Sequence, residues 1–443
     1  MKILIISRTS WRNDNSFGNS FSNIFGGTQE LEIHNIYCSA GVPDNSVVSS
    51  YFQFTEKMVI KSILKKTPAG KKVHCLEENI TENIDELNTI QKKVFAFFQR
   101  NRFQIFFWLR DIIWSFLDLN NSDNFKKYIA DVNPDIIFLP VYYSSYTNRI
   151  GLNAKSLANV PMVGYISDDN YTLRQFSLSP LYWIDRFIKR GYVKRSIDKC
   201  ETLFVISDVQ KKDYDSAFNK NCRVLYKGGS FKGVPPLYTP KIGSVCQFVF
   251  TGNIGDGRYE NLSTLGKVLD EINERHQLAE LHIYTPTQLT KKIQNALNCE
   301  SITVHSAVSF SQVKKIQQDA DILIHTESFQ LQKRLQARHS FSTKIVDYLS
   351  TGRAILAIGP ISTASVKYLA NNNAAFIAYD IKRLKKIVHD IIHNPIIRKE
   401  VIENAWQCGQ RNHQVDKIQA ELINELTRVL SLDIKDKNTG VSI

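Results

Sequence analysis

The sequence contains few cysteines, and they follow no recognisable spacing. Seven occur in 443 residues, scattered from Cys38 to Cys408, and no two form a C-x-x-C pair. Structural zinc sites and disulfide frameworks both need regularly spaced thiols, so the sequence supports neither of them. The odd, scattered set favours a reduced, cytosolic compartment.

Long apolar runs are also lacking. No uninterrupted stretch approaches the roughly 20 apolar residues that cross a bilayer. The N-terminal MKILIIS is too short for a signal peptide and predicts a first strand instead. We therefore expect a cytoplasmic protein, and attachment to the inner face of the plasma membrane stays open.

Acidic residues are in deficit, because 43 Asp and Glu face 56 Lys and Arg and the formal net charge is +13. Such an excess favours an anionic partner: nucleic acid, a phosphorylated small molecule or an anionic membrane surface. The basic residues are interspersed with acids, and no recognition helix or RRM signature occurs. We therefore predict no binding of nucleic acid.

Short apolar runs alternate with helical patterns twice along the chain. The first series comprises residues 2–6, 135–140, 162–166 and 202–206, and the second comprises 246–251, 280–285, 321–325 and 354–358. Strands without polar alternation are typical of parallel sheets that are covered by helices on both faces. The sequence thus predicts an α/β protein with two Rossmann-like, doubly wound domains that face each other across a cleft.

Glycine and proline mark the boundary between these halves. We predict an N-terminal domain over 1–230, a linker over 231–245 and a C-terminal domain over 246–412. Residues 413–443 would form a last helix, which could cross back to the N-terminal domain, and a frayed polar tail.

The segment 92–119 departs from this plan because it is dense in Phe and Trp. One interpretation is an inserted helical pair that covers the N-terminal sheet with its aromatic side chains inward. The other is an interfacial membrane helix that places Arg100, Arg102 and Arg110 at lipid phosphates. The sequence does not separate the two.

In doubly wound sheets, ligands bind beyond the carboxyl ends of the strands. The loop after the first strand of the second half carries Gly252 and Gly255, and then Arg258 at the start of a helical pattern. A glycine-rich turn that runs into a helix suits an anion. Glu327 lies just past a later strand, where a carboxylate could hold ribose or sugar hydroxyls.

The stretch SFSTKIVDYLSTGRAILAIGP, residues 340–360, predicts a short helix followed by a buried strand. Ser342 and Thr343 can cap the helix and donate hydrogen bonds to phosphate oxygens, and Lys344 adds a positive charge. A lysine in the first turn opposes the helix dipole, and a bound anion would remove this conflict.

A D-x-D pattern at 319–321 carries no metal site in our interpretation. It precedes its strand, so its carboxylates would lie at the wrong end of the sheet. We predict no metal and no cofactor.

Together these residues resemble the donor half of the GT-B glycosyltransferases. The glycine turn with its basic residue and the helix ending YLSTGRAILAIG are similar to the family 4 retaining enzymes, which show S-x-K-x-x-E-Y-L-x-x-G-x-P. The resemblance covers about residues 246–378 and implies a UDP- or GDP-linked sugar donor, with its diphosphate held by Arg258 and Lys344. It assigns the donor contacts to Gly252, Asn253, Gly255, Arg258, Glu327, Ser342, Thr343, Lys344 and Asp347.

The sequence departs from the family pattern at its acids. The family places two glutamates eight residues apart, and here Asp347 stands at the second position and His339 at the first. Glu327 is therefore our candidate for the first carboxylate. Asn253 occupies the place of the family's arginine after the loop glycine, and Arg258 is its shifted substitute.

By the same resemblance, the N-terminal half would hold the acceptor. Gly26 and Gly27 resemble the family's glycine turn at the cleft, and Asp168 and Asp169 follow a buried strand. One of the two aspartates, with Asp169 as the catalytic candidate, could orient the acceptor hydroxyl. A turn-forming or helix-capping role is the alternative.

The resemblance implies a metal-independent glycosyltransferase of bacterial surface polysaccharide assembly. It would move a sugar, with retention of configuration, from a nucleotide-diphosphate donor to a saccharide or a lipid-linked saccharide. A catalytically silent GT-B scaffold would explain the altered acid pair, and a nucleotide-sugar epimerase shares the fold. An epimerase turns over the donor without an acceptor, and a scaffold turns over nothing.

Overall fold

The computed structural model describes residues 1–13, 15–28, 30–75, 104–119, 122–236 and 244–439. The strands of the first sheet are β1 (Lys2–Ser7), β2 (Glu32–Tyr37), β3 (Val48–Gln53), β4 (Lys71–Val73), β5 (Ile136–Pro140), β6 (Met162–Ile166), β7 (Thr202–Val205) and β8 (Arg223–Val224). Its helices are α1 (Ser16–Phe25), α2 (Glu56–Lys65), α3 (Gln104–Ser115), α4 (Asp123–Val132), α5 (Ser145–Ala158), α6 (Pro180–Asp198) and α7 (Asp208–Phe218).

The second half is built in the same way. The strands of its sheet are β9 (Cys246–Thr251), β10 (Ala279–Tyr284), β11 (Ile302–His305), β12 (Ile322–Thr326), β13 (Ala354–Ile358) and β14 (Phe376–Ala378). Its helices are α8 (Arg258–Ile272), α9 (Lys291–Ala296), α10 (Phe310–Asp319), α11 (Leu331–Ala337), α12 (Lys344–Leu349), α13 (Ala364–Asn371), α14 (Leu384–His393), α15 (Pro395–Asn412) and α16 (Val415–Thr439), with a 3₁₀ turn at Ile381–Arg383.

Both sheets are doubly wound, as the apolar runs predict. The first has the order β4-β3-β2-β1-β5-β6-β7-β8 and is parallel except for β4, and the second has the order β11-β10-β9-β12-β13-β14 and is parallel throughout. The winding direction reverses between β1 and β5 and again between β9 and β12. Loops diverge at such a reversal and leave a crevice at the carboxyl ends of the strands.

The central strands are buried on both faces because they are almost entirely apolar. Ile3, Leu4, Ile5 and Ile6 of β1 are fully buried, and alternate members belong to two different cores on the two sides of the sheet. β-Branched side chains suit this environment. The same pattern recurs in β13, whose five residues are all fully buried.

The last helix, α16, packs on the first sheet. Ile418, Leu422 and Leu426 lie on one face at intervals of four residues and join the core that contains Ile3 and Ile5. The predicted frayed tail is wrong in part, because the helix continues to Thr439. Residues 440–443 lie outside the described residues.

The aromatic segment 92–119 is described only from residue 104 onward, so the predictions for Arg100 and Arg102 lie outside the described residues. Within α3, Trp114 is fully buried, and the Arg110 guanidinium lies 3.7 Å from the Asp111 carboxylate. In the described part of the chain, no helix combines the length and the apolar character needed to cross a membrane.

Candidate functional site

A cavity of about 440 Å³ lies between the reversal points of the two sheets. One wall comes from the first half, namely the start of α1, the loop after β5 and the loop after β6. The other wall comes from the ends of β9 and β12, the start of α8 and the segment that leads into α12. This is the position at which doubly wound sheets bind ligands.

Lys344 is the first residue of α12 and lines this cavity. Its ammonium donates a hydrogen bond to the Thr251 carbonyl at 2.8 Å and lies 5.4 Å from the centre of the Phe250 ring. Burial, and then the charge of Arg258, lowers the pKa of Lys344 to about 8, against the opposing effects of Glu327 and Asp347. An anion in the cavity would favour the charged form of this lysine.

Arg258 begins α8 and lines the same cavity as Lys344. Its Nε donates to the Thr326 carbonyl and its Nη2 to Glu327 Oε2, both at 3.2 Å. Glu327 is 5% exposed, and burial raises its pKa although Arg258 and Lys344 act in the opposite direction. Two cations and one buried carboxylate therefore meet where β9 and β12 end.

The glycine loop after β9 lets Lys344 come close to the backbone. Gly252 has a φ of +130°, and a Cβ at this position would overlap with Lys344 Nζ. Asn253 instead shapes the loop, because its Oδ1 accepts hydrogen bonds from the Gly255 amide at 2.6 Å and from Thr287 Oγ1 at 3.0 Å. Asn253 and Gly255 are outside the cavity lining found within the described part of the chain.

Ser342 and Thr343 line the cavity, but they do not cap α12 as predicted. Thr343 makes no side-chain capping bond, because its own backbone is already helical, with φ −60° and ψ −22°. The Ser342 amide donates to Ser365 Oγ at 3.0 Å. Both hydroxyls thus lie beside Lys344 without a capping role.

The two aspartates after β6 have different environments. Asp168 lines the cavity and accepts a hydrogen bond from Ser340 Oγ at 2.9 Å. Asp169 is buried, pairs with Arg186 at 3.3 Å and accepts a bond from the Thr172 amide. For Asp169, the structure favours the alternative of a turn-forming residue over contact with a ligand.

Gly26 and Gly27 do not lie at the cleft, which corrects the prediction made for them. Phe17, Phe21 and Phe25 recur every four residues and form one face of α1, so the glycines end this helix instead of preceding it. The Gly26 carbonyl accepts a hydrogen bond from Gln419 of α16. The start of α1 lines the cavity, with Ser16 and Phe17.

The remaining sequence candidates, Asp347 and His339, point to other partners. Asp347 pairs with Lys227 at 2.7 Å, and it is Lys227 that lines the cavity. His339 is fully buried, with its Nε2 2.6 Å from Asp213 Oδ2 of α7. Asp213 also accepts a hydrogen bond from Arg338, so residues of both halves share one polar cluster.

The sequence analysis missed His325 and Lys227. His325 is buried at the end of β12 and lines the cavity; among the described residues its Nε2 makes no hydrogen bond, and the Glu327 carboxylate lies 3.7 Å away. Burial lowers its pKa to about 3, so the ring is neutral at ordinary pH. Its place at a strand end was a usable signal, whereas Lys227 lies in an irregular segment and offered none.

No family model and no curated protein matches the chain. Solved structures do. HepE from Anabaena, in complex with UDP and glucose, has a TM-score of 0.59 and 11% identity over 97% of this chain and 100% of its own. Sucrose-phosphate synthase from Thermosynechococcus elongatus has a TM-score of 0.61 and 10% identity over 97% of this chain and 99% of its own.

A UDP-forming α,α-trehalose-phosphate synthase from Burkholderia vietnamiensis has a TM-score of 0.57 and 9% identity over 97% of this chain and 100% of its own. At these identities the likeness is one of fold. The chain has the GT-B fold of two Rossmann-like domains, which confirms the fold expected from the sequence.

Proposed function

We propose that the protein is a glycosyltransferase that takes a sugar from a UDP- or GDP-linked donor and transfers it to a saccharide or a lipid-linked saccharide. The observation that carries the proposal is the meeting of Lys344, Arg258 and Glu327 at the reversal point of the second sheet. Within the described residues, no carboxylate lies within 4.0 Å of Lys344 Nζ. A diphosphate would supply the missing negative charge.

Breaking the bond between the sugar and the diphosphate places negative charge on the leaving group. Fixed cations aimed at this charge act mainly on the transition state, where they are worth most. Lys344 and Arg258 fill this role in the proposal, and Ser342 and Thr343 donate hydrogen bonds beside them. These cations would do the work that a metal ion does elsewhere, so the reaction would be metal-independent.

Glu327 and His325 would face the transferred sugar. A buried carboxylate can accept hydrogen bonds from sugar hydroxyls, and a neutral imidazole can both donate and accept. We further propose that configuration is retained, with the acceptor attacking from the face that the diphosphate leaves. The departing phosphate would then take the acceptor's proton, and Asp168 would orient the acceptor hydroxyl.

Support for the nucleotide comes from the proteins of similar fold. HepE was solved with UDP and with UDP-glucose, and the trehalose-phosphate synthase forms UDP. The basic net charge suits an anionic donor, and the family resemblance of about residues 246–378 is the ground for proposing a role in assembling bacterial surface polysaccharide. UDP is accordingly the first nucleotide to test, and GDP the second.

The test is titration calorimetry of UDP, GDP and their hexose conjugates. Wild type should bind one nucleotide in the micromolar range, and Lys344→Ala should lose at least tenfold in affinity. Lys315→Ala, which removes an exposed lysine of α10, is the matched control and should bind as wild type does. Thermal melting shows whether each variant is folded.

The outcomes separate the alternatives. Binding by neither nucleotide, in a folded wild type, would overturn the proposal. Binding without turnover toward any acceptor would indicate a scaffold, and interconversion of the donor sugar without an acceptor would indicate an epimerase.

A further inference from the structure

Large apolar side chains are exposed on one side of the first half. They lie on α2, on α3, on α6 and on the segment that leads into α6. The most exposed are Leu64, Phe116, Leu178 and Phe187, with Leu178 88% exposed. Contiguous apolar surface of this kind marks an interaction site.

These elements are neighbours in space. Trp108 of α3 donates a hydrogen bond to Asp185 of α6 at 3.0 Å, and Lys189 of α6 lies 3.2 Å from Asp111 of α3. Trp114 of α3 approaches Glu56 of α2 at 3.4 Å. α3 therefore packs against both α2 and α6, and we call the exposed apolar side chains of these helices and of the segment leading into α6 the three-helix face, which includes Leu64, Ile112, Leu178 and Phe187.

The first half of α6, residues 181–189, has inverted polarity. Asp185, Arg186 and Lys189 are buried at 4% exposure each, and inside the protein Asp185 pairs with Lys189 while Arg186 pairs with Asp169. Its exposed apolar side chains are Leu181, Ile184, Phe187 and Ile188. This part of the helix, with its charges inward and its large apolar groups outward, is suited to an apolar environment outside the protein.

The lysines beside the three-helix face indicate which kind of apolar partner this face binds. Lys57, Lys61 and Lys65 are exposed on α2 and alternate with exposed Ile60 and Leu64 on the same surface. No described carboxylate lies within 4.0 Å of these three ammonium groups. Apolar side chains that insert, interleaved with lysines that meet phosphates, match the interface of an anionic bilayer.

The three-helix face also adjoins the cavity. Tyr143 donates a hydrogen bond to Asp185 of α6 at 2.9 Å, and its neighbour Tyr142 lines the cavity. The apolar segment that contains Leu173 and Leu178 follows the loop of Asp168, which lines the cavity as well. A molecule anchored in a bilayer at this face would reach the first half's wall of the cavity.

We propose that the three-helix face docks the protein on an anionic lipid surface and that the acceptor is a lipid-linked saccharide delivered from it. The docking stands on the geometry of α2, α3 and α6 alone. The identity of the acceptor rests on the proposed glycosyltransferase function. Two signals, inserted apolar side chains and a basic cluster, together give the stable attachment that neither provides alone.

Co-sedimentation with vesicles tests the docking. Wild type should bind vesicles of phosphatidylcholine with phosphatidylglycerol and should bind pure phosphatidylcholine much more weakly. The triple variant Lys57→Gln, Lys61→Gln, Lys65→Gln should lose about a hundredfold in affinity for the anionic vesicles. Lys314→Gln with Lys315→Gln, on the exposed side of α10, is the control for charge and should change little.

The apolar contribution is tested separately. Leu178→Ser with Phe187→Ser should weaken binding to anionic vesicles about tenfold or more, because each substitution removes an inserted side chain. Val234→Ser with Ile396→Ser removes exposed apolar groups outside the three-helix face, Val234 of the linker at 81% and Ile396 of α15 at 77%, and should bind as wild type does. Both variants should keep wild-type nucleotide affinity and melting temperature.

Three results would overturn the docking. The first is absence of vesicle binding by folded wild type, and the second is equal binding by wild type and the α2 triple variant. The third is self-association that the Leu178 and Phe187 substitutions abolish, because this would assign the face to a second copy of the chain. Calorimetry with UDP and GDP on the same samples measures nucleotide binding independently, so a failure of docking and a failure of the proposed function are distinguishable. Vesicle binding with transfer only to water-soluble saccharides would overturn the acceptor assignment alone.

Discussion

The two walls of the cavity come from sheets of the same architecture, yet their chemistry differs. The wall of the second half carries Lys344, Arg258 and Glu327, each held by a backbone carbonyl or by one another. The wall of the first half presents Phe17, Tyr142 and serine hydroxyls, and its charged members are Asp168 and Lys227. The architecture is shared, but the loops at the reversal point give the second wall a cluster of two cations and a buried carboxylate, whereas aromatic and hydroxyl groups predominate on the first wall.

The sharpest way to break this comparison is to remove a charge from the second wall. Lys344→Ala should lower kcat by about 10² to 10³, the usual effect of losing one group that stabilises transition-state charge. Donor turnover under saturating acceptor measures it. The same result for the exposed Lys315→Ala would contradict the assignment.

The position of the Lys344 ammonium depends on Gly252, and a methyl group on residue 252 should displace this ammonium. Gly252→Ala would push its Cβ into the Lys344 ammonium, so we expect nucleotide affinity to fall about ten- to a hundredfold. Gly233→Ala is the matched control, because Gly233 also has a positive φ but a Cβ added there would have no neighbouring atom within 4 Å. An equal loss of affinity in the control would assign the effect to backbone strain.

The pH dependence of binding should reveal which wall holds the anion. Since burial lowers the pKa of Lys344 to about 8, this lysine loses its proton as pH rises through that value. A bound diphosphate favours the charged form, so affinity should fall up to about tenfold per unit from about pH 8 to about pH 10. In Lys344→Arg the guanidinium stays charged, and this slope should vanish.

The smallest effect concerns the polar cluster of Asp213, Arg338 and His339, which joins the two halves and which we call the seam. Burial pushes the pKa of Asp213 upward, but hydrogen bonds from Arg338 and His339 lower it below its ordinary value. Asp213→Asn should therefore lower the free energy of unfolding by about 1 kcal/mol at neutral pH. The lowered pKa means that this stabilisation is present above about pH 4 and is lost in stronger acid.

Urea unfolding at neutral and acidic pH measures how much the seam contributes to the free energy of unfolding. Asp198→Asn is the control, because solvent screens the exposed pair of Lys194 and Asp198, so its loss should change the free energy of unfolding less than the loss of Asp213 does. If the difference between Asp213→Asn and wild type persisted unchanged in acid, the ion pairing at the seam would not be its source.

The fold was predictable because its signals are local. Runs such as residues 2–6 and 354–358 have no polar alternation, and this alone indicates strands covered on both faces. Lys344 and Arg258 were predictable because each begins a helix that is next to a buried strand in the sequence: α8 follows β9, and α12 precedes β13. Both features are read within a few residues of the chain.

The contacts that could not be predicted are long-range. The pairing of His339 with Asp213 joins residues 126 positions apart, and that of Lys227 with Asp347 joins residues 120 apart. The role of Asp169 depends on Arg186 of a later helix. The place of Gly26 and Gly27 depends on α1 before them and on Gln419 of α16, whose side chain donates a hydrogen bond to the Gly26 carbonyl from 393 positions away.

The packing of α16 on β1 bears on how the protein is made. The core that contains Ile3 and Ile5 also includes Ile418 and Leu422 of α16. It is therefore still incomplete when all strands of the first sheet have emerged from the ribosome. The roughly 190 residues between β8 and α16 take about 10 to 40 s to translate. Throughout that interval the nascent first half exposes part of its apolar interior, which is covered only once α16 has been synthesised.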